Sequence, residues 1–166
     1  MGIDTISFKE TSYPKFQAEG FAAQFAFPFA SKVCKGTGYD IGCMKKEWAF
    51  PGSIPIDKDF NDGWGALNLP HKNVDYIFAS HSLEHINDWV RVLDYWTECL
   101  KIGGVLFLYL PHPEQHYWLP FHDTKHIHIL YPQDIVLYLK DSNNYKNIFH
   151  SERDLNHSFS VMGEKI

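Results

Sequence analysis

An α/β fold built on a mostly parallel sheet is predicted by two features of the sequence. Val74–Ala79 (VDYIFA) and Val105–Leu110 (VLFLYL) are nearly continuous apolar runs, the pattern of strands covered on both faces. Between them Trp89, Val90, Leu93, Trp96 and Leu100 recur at helical spacing. Strand, helix and strand thus follow in the order of a right-handed crossover. The 166 residues suffice for one domain and little more.

The elements follow in order. The first 35 residues are rich in Phe and Ala (Phe16, Phe21, Phe25, Phe27, Phe29), with Pro28 interrupting any helix formed there. They read as a helical cover over residues 36–166, a single α/β domain. Gly38–Gly42 predicts a short strand ending in a glycine turn. Ser53–Asp57 predicts a second, and Pro55, lacking an N–H, places it at or near a sheet edge. The helix after residue 87 has Asn87 to cap it and Asp88 in its first turn, with Lys101 and Gly103-Gly104 as its stop. A long aromatic, His-rich loop follows Leu110. Pro132 then opens a short helix carrying Ile135, Val136 and Leu139 inward. Tyr145–His150 and His157–Met162 close the chain as strands, the second alternating apolar and serine positions.

Hydrophobic residues make up 45% and charged residues 21%, which is ordinary globular composition. A net charge of −5 supplies no basic footprint for nucleic acid. No apolar run approaches the roughly 20 residues of a bilayer span, and no signal-peptide pattern opens the chain. Met1-Gly2 resembles a myristoylation start, but Ile6 stands where Ser or Thr is needed. Three cysteines without a CxxC pair suit reduced thiols. A cytoplasmic protein without membrane contact is expected. Aromatics at 16%, and ten histidines with five of them between His112 and His128, point to a pocket.

Ligands of open parallel sheets bind beyond the carboxyl ends of the strands. Those ends hold Asp40-Ile41-Gly42-Cys43, Asp57, Ser80-His81 and Pro111-His112. An acid just after the second strand can accept both ribose hydroxyls of a nucleoside cofactor. Asp57 can also be a polar turn residue ahead of Lys58 and Asp59.

GYDIGC at 38–43, PID at 55–57, ALNLP at 66–70, VDYIFASHSLEH at 74–85 and LKIGGVLFLYLPH at 100–112 stand in one order. Together they resemble the class I S-adenosylmethionine-dependent methyltransferases, most of all the broad type-11 group acting on small molecules. The resemblance covers about residues 36–162. It implies a three-layer Rossmann-like sheet with an antiparallel C-terminal hairpin, S-adenosylmethionine as cofactor, and methyl transfer to an oxygen or nitrogen of a small molecule, a sugar or glycan among the candidates. Asp40, Gly42 and Cys43 would form the loop at the cofactor's methionine part, and Asp57 would hold the ribose. Leu67 would meet the adenine through its backbone, while Ser80 and His81 would face the transferable methyl. His81, His112 or His126 is the candidate base, and Tyr117 and Trp118 are candidate stacking surfaces for the acceptor. The expected partner is a small-molecule acceptor, with a homodimer as a candidate assembly and no metal.

The sequence departs from that family in places. Met44-Lys45-Lys46 follows Cys43 where further glycine is usual, and Gly65 occupies the place of an acid that meets the adenine amino group. Only residues 43–52 separate the first two strands and only 58–73 the second from the third. A sheet shortened at its second-strand edge is therefore expected. A catalytically inactive binding protein of the same fold is the alternative.

Other motifs compete. Gly36, Gly38 and Gly42 give GxGxxxG, with Ile41 where a dinucleotide fingerprint needs glycine, so NAD and FAD are not expected. His81-Ser82-Leu83-Glu84-His85 matches HxxEH, a zinc-hydrolase motif with Glu84 as base, which would need a third ligand such as Glu152 or Glu164. Asn87-Asp88 as the helix start would leave those residues in a turn. His126-Ile127-His128, with His112, His116, His122 and Asp123 near in sequence, makes a metal pair if extended, or a set of loop hydrogen bonds. The Trp89, Leu93, Trp96 stripe reads as core.

Overall fold

The computed structural model describes residues 2–60 and 63–166. It opens on a hairpin, β1 (Thr5–Phe8) and β2 (Thr11–Pro14), with Ile6 opposite Tyr13. Two helices follow, α1 (Lys15–Ala18) and α2 (Ala23–Val33). The first 35 residues are therefore not a purely helical cover. Thr, Ile, Phe and Tyr in alternation favour extended chain at 5–14, and Tyr13 is wholly buried. Pro28 lies inside α2 rather than ending it. Ala23, Ala26 and Ala30 bury the face of that helix against the sheet, and this packing outweighs the lost backbone bond.

The main sheet holds β3 (Gly38–Ile41), β4 (Ile54–Ile56), β5 (Val74–Ser80), β6 (Leu100–Pro111), β7 (Tyr145–His150) and β8 (Ser158–Lys165), in the order β4-β3-β5-β6-β8-β7. The pairs β3–β4, β3–β5 and β5–β6 are parallel; β6–β8 and β8–β7 are antiparallel. Three-residue β4 is the edge strand, as Pro55 requires. The β3–β4 connection, residues 42–53, holds only a 3₁₀ turn, Lys46–Trp48, because twelve residues are near the minimum for a helical crossover. Helix α3 (Trp89–Cys99) joins β5 to β6, and α4 (Pro132–Asp141) precedes β7. Asp88, one residue beyond the expected cap, accepts from the Arg91 N–H at 3.1 Å.

Strict alternation along the central strands sorts their side chains into two cores. Ile77, Ala79, Leu106 and Leu108 meet α3 and α4 through Val92, Leu93, Trp96, Ile135 and Leu139. Tyr76, Phe78, Phe107 and Tyr109 meet α2. This makes three layers. On the α2 side the Phe50, Phe78 and Phe107 rings stack at centroid distances of 5.1 and 5.6 Å. Each such buried ring contributes roughly 1.5–3 kcal/mol of apolar transfer. Among the described residues, no helix is long and apolar enough to cross a membrane.

Candidate functional site

The carboxyl ends of β3, β4 and β5 converge on one rim. Gly42, just past β3, takes φ +83° and donates its N–H to Ile56 O at 2.7 Å. A Cβ at Gly42 would collide with Ser82 Oγ, which itself lies 2.9 Å from Ile41 O. Glycine is required here on two grounds, conformation and space. One residue beyond Cys43, the Met44 N–H donates to Asp57 Oδ2 at 2.7 Å, and Asp57 Oδ1 accepts from the Asp59 N–H at 3.0 Å. Asp57 is thus tied to the loop after β3, and both readings of this acid, rim carboxylate and turn residue, describe its position.

Asp40 is 1% exposed. Its Oδ2 accepts the Phe50 N–H at 2.7 Å, while Oδ1 is buried without a hydrogen-bond partner among the described residues. Burial, with Asp57 adding repulsion, raises its pKa to about 7. The Ser80 Oγ at the end of β5 is likewise buried and unpartnered. These two orphaned oxygens on neighbouring strands, beside a loop that only glycine can make, fit a polar ligand laid across the rim. Cys43 is buried, and its thiol is pushed up to about 12 by burial first and by Asp40 and Asp57 next. It is an unreactive wall, not a nucleophile. Leu67 is exposed in a small loop closed by paired backbone bonds between Gly65 and Asn68. Gly36 and Gly38 sit at the opposite end of β3, packed on Asp75 and Tyr76.

The candidate bases separate into two places. His81 takes φ +47° and its N–H donates to Tyr109 O at 2.8 Å. Its Nε2 is 2.9 Å from Ser158 Oγ and its Nδ1 3.8 Å from Glu84 Oε1. Burial, with His126 and His85 nearby, holds its pKa well below the usual range. His126 is 3% exposed, with Nε2 3.8 Å from the same Glu84 oxygen, and burial lowers its pKa to about 4. Glu84, 1% exposed, has its pKa raised to about 8 by burial. His112 stands apart. Its Nδ1 accepts the Glu114 N–H at 3.1 Å, and its ring packs on Phe159.

Trp118 is buried, edge-on to Tyr13 and His81, with centroids 5.3 Å away in each case. Tyr117 packs among Phe8, Tyr13 and His122. The hairpin thereby braces the His-rich loop, and the Tyr13 hydroxyl accepts the N–H groups of His116 and Tyr117 at 3.0 and 3.3 Å. Beside this brace opens a cleft of about 240 Å³ lined by Thr11, Glu114, His116, Arg153 and His157 among others.

The HxxEH residues do not share a helical face, because Leu83–His85 is a 3₁₀ turn. Nor do His126 and His128 act as a pair, since His128 Nε2 lies 2.9 Å from Ile86 O. Where no metal is expected from the sequence, the fold groups Glu84, His85 and His126 closely enough to hold one. Glu164, a suggested third ligand, lies on β8 and pairs with Lys146 at 3.0 Å. Ser158 and Tyr13 carry no motif in the sequence, and Ser82 is only a variable position of HxxEH; their contacts single them out.

The model of the methyltransferase-domain family matches residues 20–150. No curated protein sequence matches the chain. Among solved structures, a SAM-dependent methyltransferase from Archaeoglobus fulgidus is similar at 16% identity, with 91% of this chain and 97% of that one covered and a TM-score of 0.64. A Thermotoga maritima protein described as a possible histamine N-methyltransferase gives 14%, 91% and 92%, and 0.66. The N-methyltransferase NodS of Bradyrhizobium japonicum, in complex with S-adenosyl-L-homocysteine, gives 13%, 91% and 88%, and 0.59. The match over most of its length, on a sheet of this order, makes the chain a member of the methyltransferase-domain family with the fold of the class I S-adenosylmethionine-dependent enzymes.

Proposed function

We propose that the chain transfers a methyl group from S-adenosylmethionine to an oxygen or nitrogen of a small polar molecule. The observation that carries this reading is the junction of Gly42, Met44 and Asp57 at the ends of two adjacent parallel strands. The bound cofactor supplies the electrophilic methyl of a sulfonium. Asp57 serves its ribose, and Ser80, Asp40 and the backbone of Gly42–Cys43 serve its methionine part. Leu67, exposed in its small loop, serves the adenine.

The acceptor occupies the cleft between the hairpin and the β7–β8 turn, where Arg153, Glu114 and the two histidines His116 and His157 offer both charges and neutral hydrogen-bonding groups. Of the three candidate bases, His112 is the one that directly precedes cleft-lining residues in the chain, Pro113 and Glu114. Burial lowers its pKa, and the charges acting on it are those of Glu114, Arg153, Glu152 and Asp154. Its Nδ1 holds the Glu114 N–H at 3.1 Å, so it acts as base by releasing that bond and taking the proton of a hydroxyl or ammonium on the same lone pair. Tyr117 and Trp118 position the loop that carries the cleft wall rather than stack on the acceptor. Alignment of the reactants supplies more than the base does, about 7–11 kcal/mol against a factor of about 10²–10⁴ in rate.

The test has two readouts. Calorimetric titration with S-adenosyl-L-homocysteine is expected to give one saturable site per chain. Incubation with methyl-labelled S-adenosylmethionine and pools of amines, alcohols and sugars is expected to label an acceptor, and His112→Ala to slow that labelling at least about 100-fold. Absence of cofactor binding would overturn the reading. Binding without transfer to any acceptor would establish the inactive, ligand-holding alternative.

A further inference from the structure

The turn after β5 buries an acid whose close polar neighbours among the described residues are imidazoles. Glu84 is 1% exposed, and neither carboxylate oxygen accepts a hydrogen bond among the described residues. Such a group is costly to keep unless a ligand completes it. His81 Nδ1 and His126 Nε2 stand 3.8 Å from its Oε1, and His85 Nε2 stands 4.0 Å away. Asp123 Oδ2 lies 3.5 Å from His126 Nε2, so a second carboxylate borders the group on the His126 side.

Glu84, His85 and His126 each turn one ligand atom inward, and these atoms lie within 4.8 Å of one another. A tetrahedral zinc centre with bonds of about 2.0–2.2 Å spaces its donors about 3.4 Å apart, a contraction that side-chain torsions can supply. His85 is already set for the task. Its Nδ1 faces the carbonyl of Lys125 at 2.8 Å. A carbonyl only accepts, so the proton resides on Nδ1 and the Nε2 lone pair points at Glu84. Metal-bound histidines are oriented by this kind of outer hydrogen bond. His128, by contrast, turns its Nε2 to the carbonyls of Ile86 and Asn87.

We propose that Glu84, His85 and His126 form a site for one divalent transition-metal ion of the Zn²⁺ class, with Asp123 in reach as a fourth ligand. Two imidazoles with carboxylates suit Zn²⁺ better than Mg²⁺ or Ca²⁺, which prefer all-oxygen shells. The ion ties the 123–128 segment to the Leu83–His85 turn. It thereby fixes the wall of a cavity of about 10 Å³, room for one water, that Glu84 lines together with Trp118 and His128. The site uses none of the residues assigned to the methyl donor, and its test reads the metal directly. Its failure and a failure of the methyltransferase reading are therefore distinguishable.

The experiment strips the purified full chain with a chelator, removes the chelator, and titrates with Zn²⁺ by calorimetry and with Co²⁺ by visible absorption. One ion per chain is expected, with Co²⁺ giving the intense bands of four-coordinate geometry. Glu84→Gln and His126→Gln are each expected to weaken binding at least about 100-fold, and His122→Ala to leave it unchanged, with circular dichroism confirming the fold of each variant. In wild-type protein, Zn²⁺ is further expected to protect the exposed His85 from diethylpyrocarbonate, a readout that needs no variant. The proposal is overturned if the wild type shows no saturable binding, if both variants bind as it does, or if His85 is modified equally with and without Zn²⁺.

Discussion

The backbone N–H of Met44 donates to the carboxylate of Asp57 at 2.7 Å, joining the loop beyond β3 to the residue beyond β4. The rim of the sheet is thus organised before any ligand arrives, by an acid whose charge also suits ribose hydroxyls. Asp57→Ala is expected to weaken S-adenosyl-L-homocysteine binding at least about tenfold, since charge-assisted hydrogen bonds are the strong ones. Calorimetry measures it, and an unchanged affinity removes Asp57 from the site.

Asp40 connects stability to pH. The groups facing it are Asp57, Cys43, Tyr76 and the Phe50 N–H. Its pKa in the folded chain is about 7, against an ordinary 3.8, so the folded state holds a proton that the unfolded state releases. The contribution is fully present below about pH 4 and is lost as pH rises to about 7, amounting to on the order of 4 kcal/mol at most. Asp40→Asn retains an acceptor for the Phe50 N–H and removes the titration. Denaturant unfolding of the cofactor-free protein is expected to show wild type losing stability relative to this variant between about pH 4 and 7. Parallel curves would refute the assignment.

Gly42 faces two penalties if replaced. Alanine there would hold φ +83° and push its Cβ into Ser82. A destabilisation of about 2–4 kcal/mol is expected, partly relieved in the Gly42→Ala/Ser82→Ala double variant because the hydroxyl is the first atom met. Unfolding free energies of the four proteins of the cycle measure it, and additive losses would contradict the contact.

Tyr13 anchors the His-rich loop through its hydroxyl. Tyr13→Phe leaves the His116 and Tyr117 N–H groups without their acceptor at a cost of about 1–3 kcal/mol. Hydrogen exchange is expected to quicken at those two amides, and unaltered exchange would show that the hairpin does not hold the loop.

Much of the sheet was readable in advance. The edges of α4 and β7 fall at Pro132 and at Tyr145–His150 as expected, and β5 extends the expected run by one residue to Ser80. Pro132, the apolar runs and the alternation all act within a few neighbours, so local chemistry announces them. The hairpin at 5–14 is not legible because its two-residue turn is Lys9-Glu10, both at positive φ, where Asn, Asp or Gly would announce such a turn. Pro28 misled because its helix is held from outside, by the aromatic face of β5 and β6.

By itself, the sequence determined the α/β class, the parallel centre, the β4 edge and the order of segments that marks a methyltransferase domain. These rest on burial pattern and backbone capacity, which each residue carries wherever it goes. Only the tertiary structure decided which histidines meet. His126 reaches Glu84 across forty-two positions of chain while His128 turns to a backbone carbonyl, because the pairing of distant side chains depends on how loops close over a core and not on spacing along the chain.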